Sequence, residues 1–390
     1  MQKKSIIKVQ GHESDQNMRI GIYGKLLVKP GSGIVRYATE LTESLVNNDK
    51  TNEYVIYLHR KDVKKLKLKG KYEIREVGLP YILWRTPLFT KILDEDNINV
   101  FHSQGYNLPL VPRSVRKVRF VSTFHGLLPF WHSFRENIYS GLNFRFAAMF
   151  ADRIISVSDT VRHEIHDTYG KPLADIDVTY FGLNENLKPL SKKEINTAKK
   201  QLLKYGLKYQ GYVAYIGGAM RPNKNLDTIL SAWSLLKKRY GWKIPLLITR
   251  VDMAALKKKL DALDLKEGVD IIGSKWIEEK DIRYLYAGAL IAIYPSVYDG
   301  LGFPIIEAMA CGAPVITSNI AAMPEAAGGA GLLVDRPKDP EEWVNKIIQL
   351  SKDKKLRSKL IQLGLEHAKD FTWKKVAKET VDTYRKAAQK

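Results

Sequence analysis

Apolar residues fall along the chain in short β-type runs separated by stretches of helical period, an alternation that predicts an α/β protein. Runs at Met18 to Tyr23 (MRIGIY), Tyr54 to Leu58, Val100 to Ser103 and Phe120 to His125 predict strands in the first half. After KLLVKPGSG, the residues Ile34, Val35, Ala38, Leu41 and Leu45 recur at helical spacing, which predicts an amphipathic helix opening at Ser32 or Gly33. ADRIISVSDTVRHEI reads as a strand, a Ser-Asp-Thr cap and a helix, and IDVTYFGLN as another strand. Between Leu187 and Gln210 the chain turns polar and Lys-rich around one helix (KEINTAKKQLLKY), and Tyr212 to Ile216 then opens a second sheet. The domain boundary is accordingly placed between residues 188 and 189. The second half repeats the order of strand, glycines and helix: GGAMRPNKN leads into a helix with Leu226, Ile229, Leu230, Trp233 and Leu236 on one face. IPLLITR, a Lys-rich helix, VDIIG, DIRYLYAGAL and IAIYPS continue it.

One stretch organises the second half, Tyr294 to Asp335. The run Ile291 to Ile293 ends at Pro295, a Gly-rich turn follows (Gly300, Leu301, Gly302), and Pro304 sits at a helix start, where losing an N–H is tolerated. A helix from Ile305 to Ala310 stops at Gly312, and Ala313 to Thr317 resumes as a buried strand. Such a β-α-β unit leaves free backbone N–H groups at the helix start, which suit an anion or a hydroxyl-rich ligand. Asp299 and Glu307 bracket the turn from different elements, so spacing alone does not make them an acid/base pair.

Composition narrows the function. The 390 residues, 45% of them hydrophobic, suffice for two cores. The single cysteine, Cys311, excludes an intramolecular disulfide and a Cys-rich metal site and reads as a buried thiol. No apolar run approaches a membrane span, and the apolar segment of MQKKSIIKVQGHESDQN is too short for a signal peptide; a cytoplasmic protein, peripheral at most on the inner face of a membrane, is the expectation. A net charge of +21 then acts from solution as a solubilising surface or as attraction to nucleic acid, anionic lipid or a phosphorylated substrate. The run KDVKKLKLKGK reads as a solvated face. In Leu127 to Phe150 aromatics alternate with Arg135 and Arg145; Asn and Ser interrupt any apolar face, which favours a helix packed in the core over one lying in lipid headgroups. Asp94 and Asp96 imitate a metal-binding Asp-x-Asp, yet they end a helix and read as solvated. His125 ends a strand, at the edge where open α/β sheets bind ligands.

The acidic residue, Gly-x-Gly, Pro, second acidic residue, Ala-Met-Ala-Cys-Gly, Pro-Val, Ser-Asn and Pro-Glu of 299–325 resemble the donor-site signature of the retaining nucleotide-sugar glycosyltransferases of family 4, in their mannosyl- and rhamnosyltransferase-like branch. The resemblance extends over nearly everything after Met18. It implies the GT-B fold, two Rossmann-like domains facing across an interdomain cleft: 1–188 binding the acceptor and joined by a C-terminal helix from Trp373, and 189–372 binding the donor. The implied activity is hexose transfer from a nucleoside diphosphate sugar, GDP-linked before UDP-linked, to a hydroxyl of a glycan or lipid-linked saccharide, with no metal, no further cofactor and no nucleic acid. The resemblance gives His125 a contact with the transferred sugar and sets Lys224, with Arg221 nearby, on the diphosphate. It puts Asp299 and the turn Gly300, Leu301, Gly302 and Phe303 on the sugar hydroxyls, Glu307 on the ribose, and Gly33 near the donor phosphate or acceptor. Backbone groups of Lys275, Trp276 and Ile277 would read the base, with the Trp276 ring either stacking on it or capping the core. The chain departs from the family pattern at Asp299 (usually Glu), in the order Gly-Leu-Gly-Phe, at Asn223 in a slot commonly Arg, and at Gly126 where an Asp usually follows the His. The rival classes are a Rossmann oxidoreductase, for which no compact Gly-x-Gly-x-x-Gly opens either domain, and a basic nucleic-acid-binding protein.

Overall fold

The structure is a computed structural model; it describes residues 17–29, 33–127, 134–218 and 220–390, and only the backbone for 134–140. Seven strands form the first sheet: β1 (Arg19–Tyr23), β2 (Glu53–His59), β3 (Glu73–Val77), β4 (Val100–Ser103), β5 (Arg119–Phe124), β6 (Arg153–Ser156) and β7 (Ile176–Val178). Their order is β3-β2-β1-β4-β5-β6-β7. Six form the second: β8 (Val213–Tyr215), β9 (Leu246–Thr249), β10 (Ile271–Ser274), β11 (Ile291–Tyr294), β12 (Val315–Ser318) and β13 (Gly331–Val334), ordered β10-β9-β8-β11-β12-β13. All pairings are parallel. Parallel strands joined by helices are covered on both faces, which is why β4, β6, β9, β11 and β12 are buried at every position; β9, β11 and β12 read as unbroken apolar or small-residue runs, while β4 and β6 bury His102 and Arg153 as well.

The helices around the first sheet are α1 (Gly33–Asn48), α2 (Pro87–Glu95), α3 (Phe134–Phe150) and α4 (Asp159–Tyr169). Those of the second part are α5 (Glu194–Leu203), α6 (Leu226–Tyr240), α7 (Met253–Ala262), α8 (Glu279–Ala287), α9 (Phe303–Ala310), α10 (Met323–Ala327), α11 (Pro340–Lys352) and α12 (Lys354–Ala368). The last, α13 (Trp373–Ala388), lies on the first sheet. Its Val376, Val381 and Tyr384 are buried with Leu41, Leu45 and Ile56, and the Tyr384 hydroxyl meets buried His102 Nδ1 at 2.7 Å. Chain direction across each sheet reverses between β1 and β4 and between β8 and β11. Loops leaving the strands on the two sides of such a reversal part and open a crevice at their carboxyl ends.

The structure fills out or corrects three sequence expectations. The solvated reading of the Lys-rich run missed the structure around it: a short turn of 3₁₀ helix, Arg60–Lys65, precedes edge strand β3, whose Glu73 to Glu76 face solvent and so carry no apolar alternation. Asp94 and Asp96 are tied into the first domain: Asp94 Oδ1 accepts the Val118 N–H at 3.2 Å, and Asp96 Oδ2 accepts Tyr57 Oη at 2.8 Å and Arg75 Nε at 2.9 Å. Of the aromatic segment, residues 128–133 lie outside the described residues; in α3, Phe144, Ala147 and Ala148 enter the core while Leu142 and Met149 stay exposed.

Candidate active site

The reversal in the second sheet brings together the loop after β8, which carries Lys224, and the loop after β11, which carries Asp299. Asn223, buried, stitches them: its Nδ2 donates to the Tyr298 carbonyl at 2.8 Å, and its own carbonyl accepts from Val297 N at 2.9 Å and Ser296 Oγ at 3.0 Å. The residue in the slot commonly held by Arg is therefore a scaffold for the loops. Tyr215 Oη holds the Lys224 carbonyl at 2.6 Å, and Lys224 Nζ reaches Asp299 Oδ2 at 2.8 Å. Tyr294 Oη donates to the same oxygen, while Oδ1 accepts the Gly300 N–H at 3.0 Å. Burial alone raises the Asp299 carboxyl; the Lys224 charge and these hydrogen bonds more than offset it and hold the group ionised, below the usual carboxylate range.

Gly302, at φ 88°, makes the left-handed turn into α9, and no side chain caps the helix start. One turn in, Glu307 is 7% exposed. Its Oε1 accepts Arg36 Nη1 from the first domain at 3.0 Å, and its Oε2 accepts Tyr286 Oη at 3.4 Å. Burial raises this carboxyl too, and Arg36 and Tyr286 oppose the rise. The Arg36 guanidinium lies over the Phe303 ring, 5.4 Å from its centroid.

Across the cleft His125 follows β5, packed edge-on against Tyr37 at 4.7 Å and near Phe181 at 5.8 Å. Its Nε2 meets the Gln104 carbonyl at 3.1 Å. A carbonyl only accepts, so Nε2 carries the proton and Nδ1 is left as an acceptor. That Nδ1 is buried and has no partner among the described residues. Burial lowers the ring's pKa to about 4, so it is neutral at physiological pH.

The two domains meet closely here. A Cβ on Gly300 would stand 2.1 Å from the His125 carbonyl oxygen. Ser158 Oγ donates to the Gly300 carbonyl at 2.6 Å while accepting Val161 N–H at 3.1 Å at the head of α4. Tyr298 Oη accepts the Leu127 N–H at 2.8 Å and donates to Glu164 at 2.7 Å. Glu325, the acid of the Pro-Glu pair, crosses to the same helix: its oxygens accept Asp159 N at 2.6 Å, Thr160 N at 3.2 Å and Tyr180 Oη at 3.0 Å. A carboxylate there satisfies free N–H groups and faces the positive end of the α4 dipole.

Of the residues singled out from sequence, the structure brings Lys224, Asp299, Gly300, Leu301, Gly302, Phe303 and Glu307 together on the second domain and backs His125 onto Gly300. Gly33 opens α1 on the first domain with space around it. Arg221 is exposed at the start of the Lys224 turn. Lys275 and Trp276 are exposed after β10, and Ile277 packs on the second core. Trp276 is 78% exposed, which rules out the core-capping alternative for its ring. Sequence reasoning missed Arg36, Tyr294, Glu164 and Glu325 as site groups. Arg36 falls off the apolar face of Ile34, Ala38, Leu41 and Leu45 and carries no local signal, and Glu164 becomes visible only when the domains face each other; Tyr294, five positions from Asp299, and Glu325, in the Pro-Glu pair, lie inside the stretch already singled out.

The family model described as Glycosyltransferase Family 4 matches residues 31–187, and that described as Glycosyl transferases group 1 matches residues 198–367. Over 293 residues the chain is 32% identical to O-antigen chain mannosyltransferase B of Escherichia coli, covering 73% of this chain and 74% of that protein. The chain belongs to glycosyltransferase family 4. This family 4 glycosyltransferase is also 28% identical over 228 residues to the O-antigen chain mannosyltransferase RfbU of Salmonella typhimurium, covering 58% of this chain and 59% of the relative. Among solved structures it is similar to a glycosyltransferase from Rickettsia africae, with TM-score 0.69, 18% identity and coverage of 96% and 99% of the two chains. It is similar as well to Anabaena HepE in complex with UDP, with TM-score 0.71, 16% identity and coverage of 95% and 100%. These neighbours share its two-domain GT-B fold. Among the described residues no helix is long and apolar enough to cross a membrane, and no three His, Cys, Asp or Glu residues are grouped to hold a metal ion.

Proposed function

We propose that this glycosyltransferase moves a hexosyl group of mannose or rhamnose type from a nucleoside diphosphate donor to a hydroxyl of a glycan or lipid-linked saccharide in surface polysaccharide synthesis. The observation that carries the reading is the Lys224–Asp299 pair at the carboxyl ends of β8 and β11, beside an uncapped helix start, with the adjoining Gly300 against the backbone of His125. The names of the bacterial relatives favour a mannosyl donor. In this reading Lys224 and the α9 N–H groups receive the charge that develops on the leaving diphosphate. Asp299 and the Gly300 to Phe303 turn accept or donate to sugar hydroxyls, Glu307 takes the ribose, and the neutral His125 Nδ1 accepts a hydroxyl proton as a hydrogen bond. As the bond between the anomeric carbon and the diphosphate oxygen breaks, the acceptor oxygen forms the new bond from the same face. Its proton passes to the departing diphosphate, so retention needs neither a protein nucleophile nor a metal.

The test is a panel of GDP- and UDP-sugars incubated with acceptor in excess chelator, with products analysed by NMR at the anomeric position. Turnover of one GDP-hexose with an α-linked donor giving an α-linked product supports the whole reading. Inversion sinks the mechanism, restoration of activity only by Mg²⁺ or Mn²⁺ sinks metal independence, and turnover of UDP-sugars alone moves the donor assignment to uridine.

A further inference from the structure

Both oxygens of the carboxylate assigned to the ribose are engaged, and one of them by the opposite domain. Arg36 Nη1 donates to Glu307 Oε1 at 3.0 Å, and Tyr286 holds Oε2. The guanidinium is only partly committed: its Nε is buried without a hydrogen-bond partner among the described residues, and its plane rests near Phe303, the first residue of α9. Arg36 therefore stands beside the uncapped helix start, which is where an anion would sit.

At the phosphate end, meanwhile, the nearby cations among the described residues are either paired or exposed. Lys224 is paired with Asp299. Asn223, in the slot commonly held by arginine, is buried with its amide on the Tyr298 carbonyl, and Arg221 is exposed. A diphosphate carries several negative charges, and a planar fork of N–H donors matches its oxygens better than a single ammonium does.

We propose that Arg36 is a diphosphate-binding residue supplied by the first domain, occupied by Glu307 until the donor arrives. Donor ribose hydroxyls replace the guanidinium on Glu307, and the freed Arg36 turns on its stem beside Phe303 to bind the phosphates opposite Lys224. The inference rests on the reading of Lys224 and Glu307 as diphosphate and ribose groups.

The experiment is calorimetric titration of GDP and UDP into the wild type, Arg36→Ala, Arg36→Lys, Glu307→Gln and the Arg36→Ala/Glu307→Gln double variant, each checked for folding by circular dichroism and melting. Losing hydrogen bonds to a charged ligand should weaken the bound nucleoside diphosphate by roughly tenfold to a hundredfold in Arg36→Ala, with part of the affinity regained in Arg36→Lys. The deciding comparison is in the Glu307→Gln background. There Arg36→Ala should still weaken the diphosphate by a similar factor, because Arg36 acts on the ligand itself. If the loss vanishes in that background, Arg36 serves only to hold Glu307 and the proposal is overturned. It is equally overturned if Arg36→Ala binds as the wild type does. Should the wild type bind neither nucleoside diphosphate, the donor reading falls first and the role of Arg36 with it.

Discussion

Replacing Lys224 by Ala separates a catalytic cation from a structural one. In the folded protein Lys224 Nζ is 2.8 Å from Asp299 Oδ2, and the lysine side chain is 12% exposed. Its removal leaves Asp299 half-buried with the Tyr294 hydroxyl and the Gly300 N–H but without a counter-charge. Stranding one member of a buried pair costs about 3–5 kcal/mol where nothing compensates. The two surviving bonds and the 28% exposure of the Asp299 side chain bring the cost below that range, to roughly 2–3 kcal/mol. In a domain of this size that lowers the melting temperature by roughly 4–12 °C. On the chemistry, losing one preorganised charge at the leaving group should lower kcat by about a hundredfold or more, because the contribution is larger in the transition state than in the bound donor. The two effects part in a double variant. Asp299→Asn in the Lys224→Ala background removes the stranded charge and should restore much of the melting temperature, while kcat at saturating donor stays low. Stopped assays of transfer at saturating donor, beside calorimetric melting, decide it. If Lys224→Ala melts early yet turns over near the wild-type rate, Lys224 is an anchor for Asp299 and the charge on the leaving group is met elsewhere.

Two further perturbations address the cleft and its histidine. In Gly300→Ala the new methyl would overlap the His125 carbonyl oxygen at 2.1 Å, backbone against side chain, so the domains must part. A displacement on the order of 1 Å at a reacting centre can cost a hundredfold in kcat/KM; small-angle scattering should give a larger radius of gyration than for Gly78→Ala, whose methyl meets open space, and equal radii with equal rates would refute the contact. For pH, burial holds His125 at about 4 and His102 at about 3, both below the ordinary histidine value. The unfolded chain therefore takes up protons first as pH falls through about 6.5, and unfolding free energy should drop by about 1.4 kcal/mol per pH unit for each histidine on the way to about pH 4.5. Denaturant titrations should find a shallower slope in His125→Gln, and an unchanged slope there would mean that His125 is solvated.

Much of the fold was legible because it is parallel: the central strands are buried on both faces, and most carry an apolar run that marks them. β3 was not, because an edge strand held through the β2 register needs no apolar side of its own. The second-domain half of the site was legible for a related reason. Asp299, the glycine turn and Glu307 lie within one β-α-β unit, so local spacing carries them, and Lys224 occupies the matching place in the unit that β8 begins. The first-domain half depends on contacts between residues far apart in the chain, and no local pattern encodes those. Arg36 meets Glu307 across 271 positions and Ser158 meets Gly300 across 142, so these pairings follow from how two finished domains dock. Asn223 misled in the opposite direction: in sequence it is a missing arginine, whereas in the structure its short amide is what joins the Lys224 and Asp299 loops.

The charges of the site are balanced in pairs before any ligand is present, Asp299 with Lys224 and Glu307 with Arg36, and each pair joins a group proposed for hydroxyls to one proposed for phosphate. A nucleoside diphosphate sugar is built in the same alternation, with hydroxyls on the hexose and ribose at its ends and the diphosphate between them. Such a ligand can take a carboxylate and a cation from each pair at once, so that no buried charge is left without a partner while the pairs separate. A free sugar would engage the carboxylates and leave the cations stripped of their partners, and inorganic diphosphate would do the reverse; with side chains 9–29% exposed an unpaired charge here costs roughly 2–3 kcal/mol, enough to weaken either fragment markedly. On the proposed roles, selection for the whole donor over its parts would follow from the pairing itself, without a separate contact for each part. The shorter carboxylate of Asp299 fits this arrangement. Held at the end of β11 by Tyr294 and by the N–H of Gly300, it stays within reach of Lys224 and remains ionised, as the exchange requires.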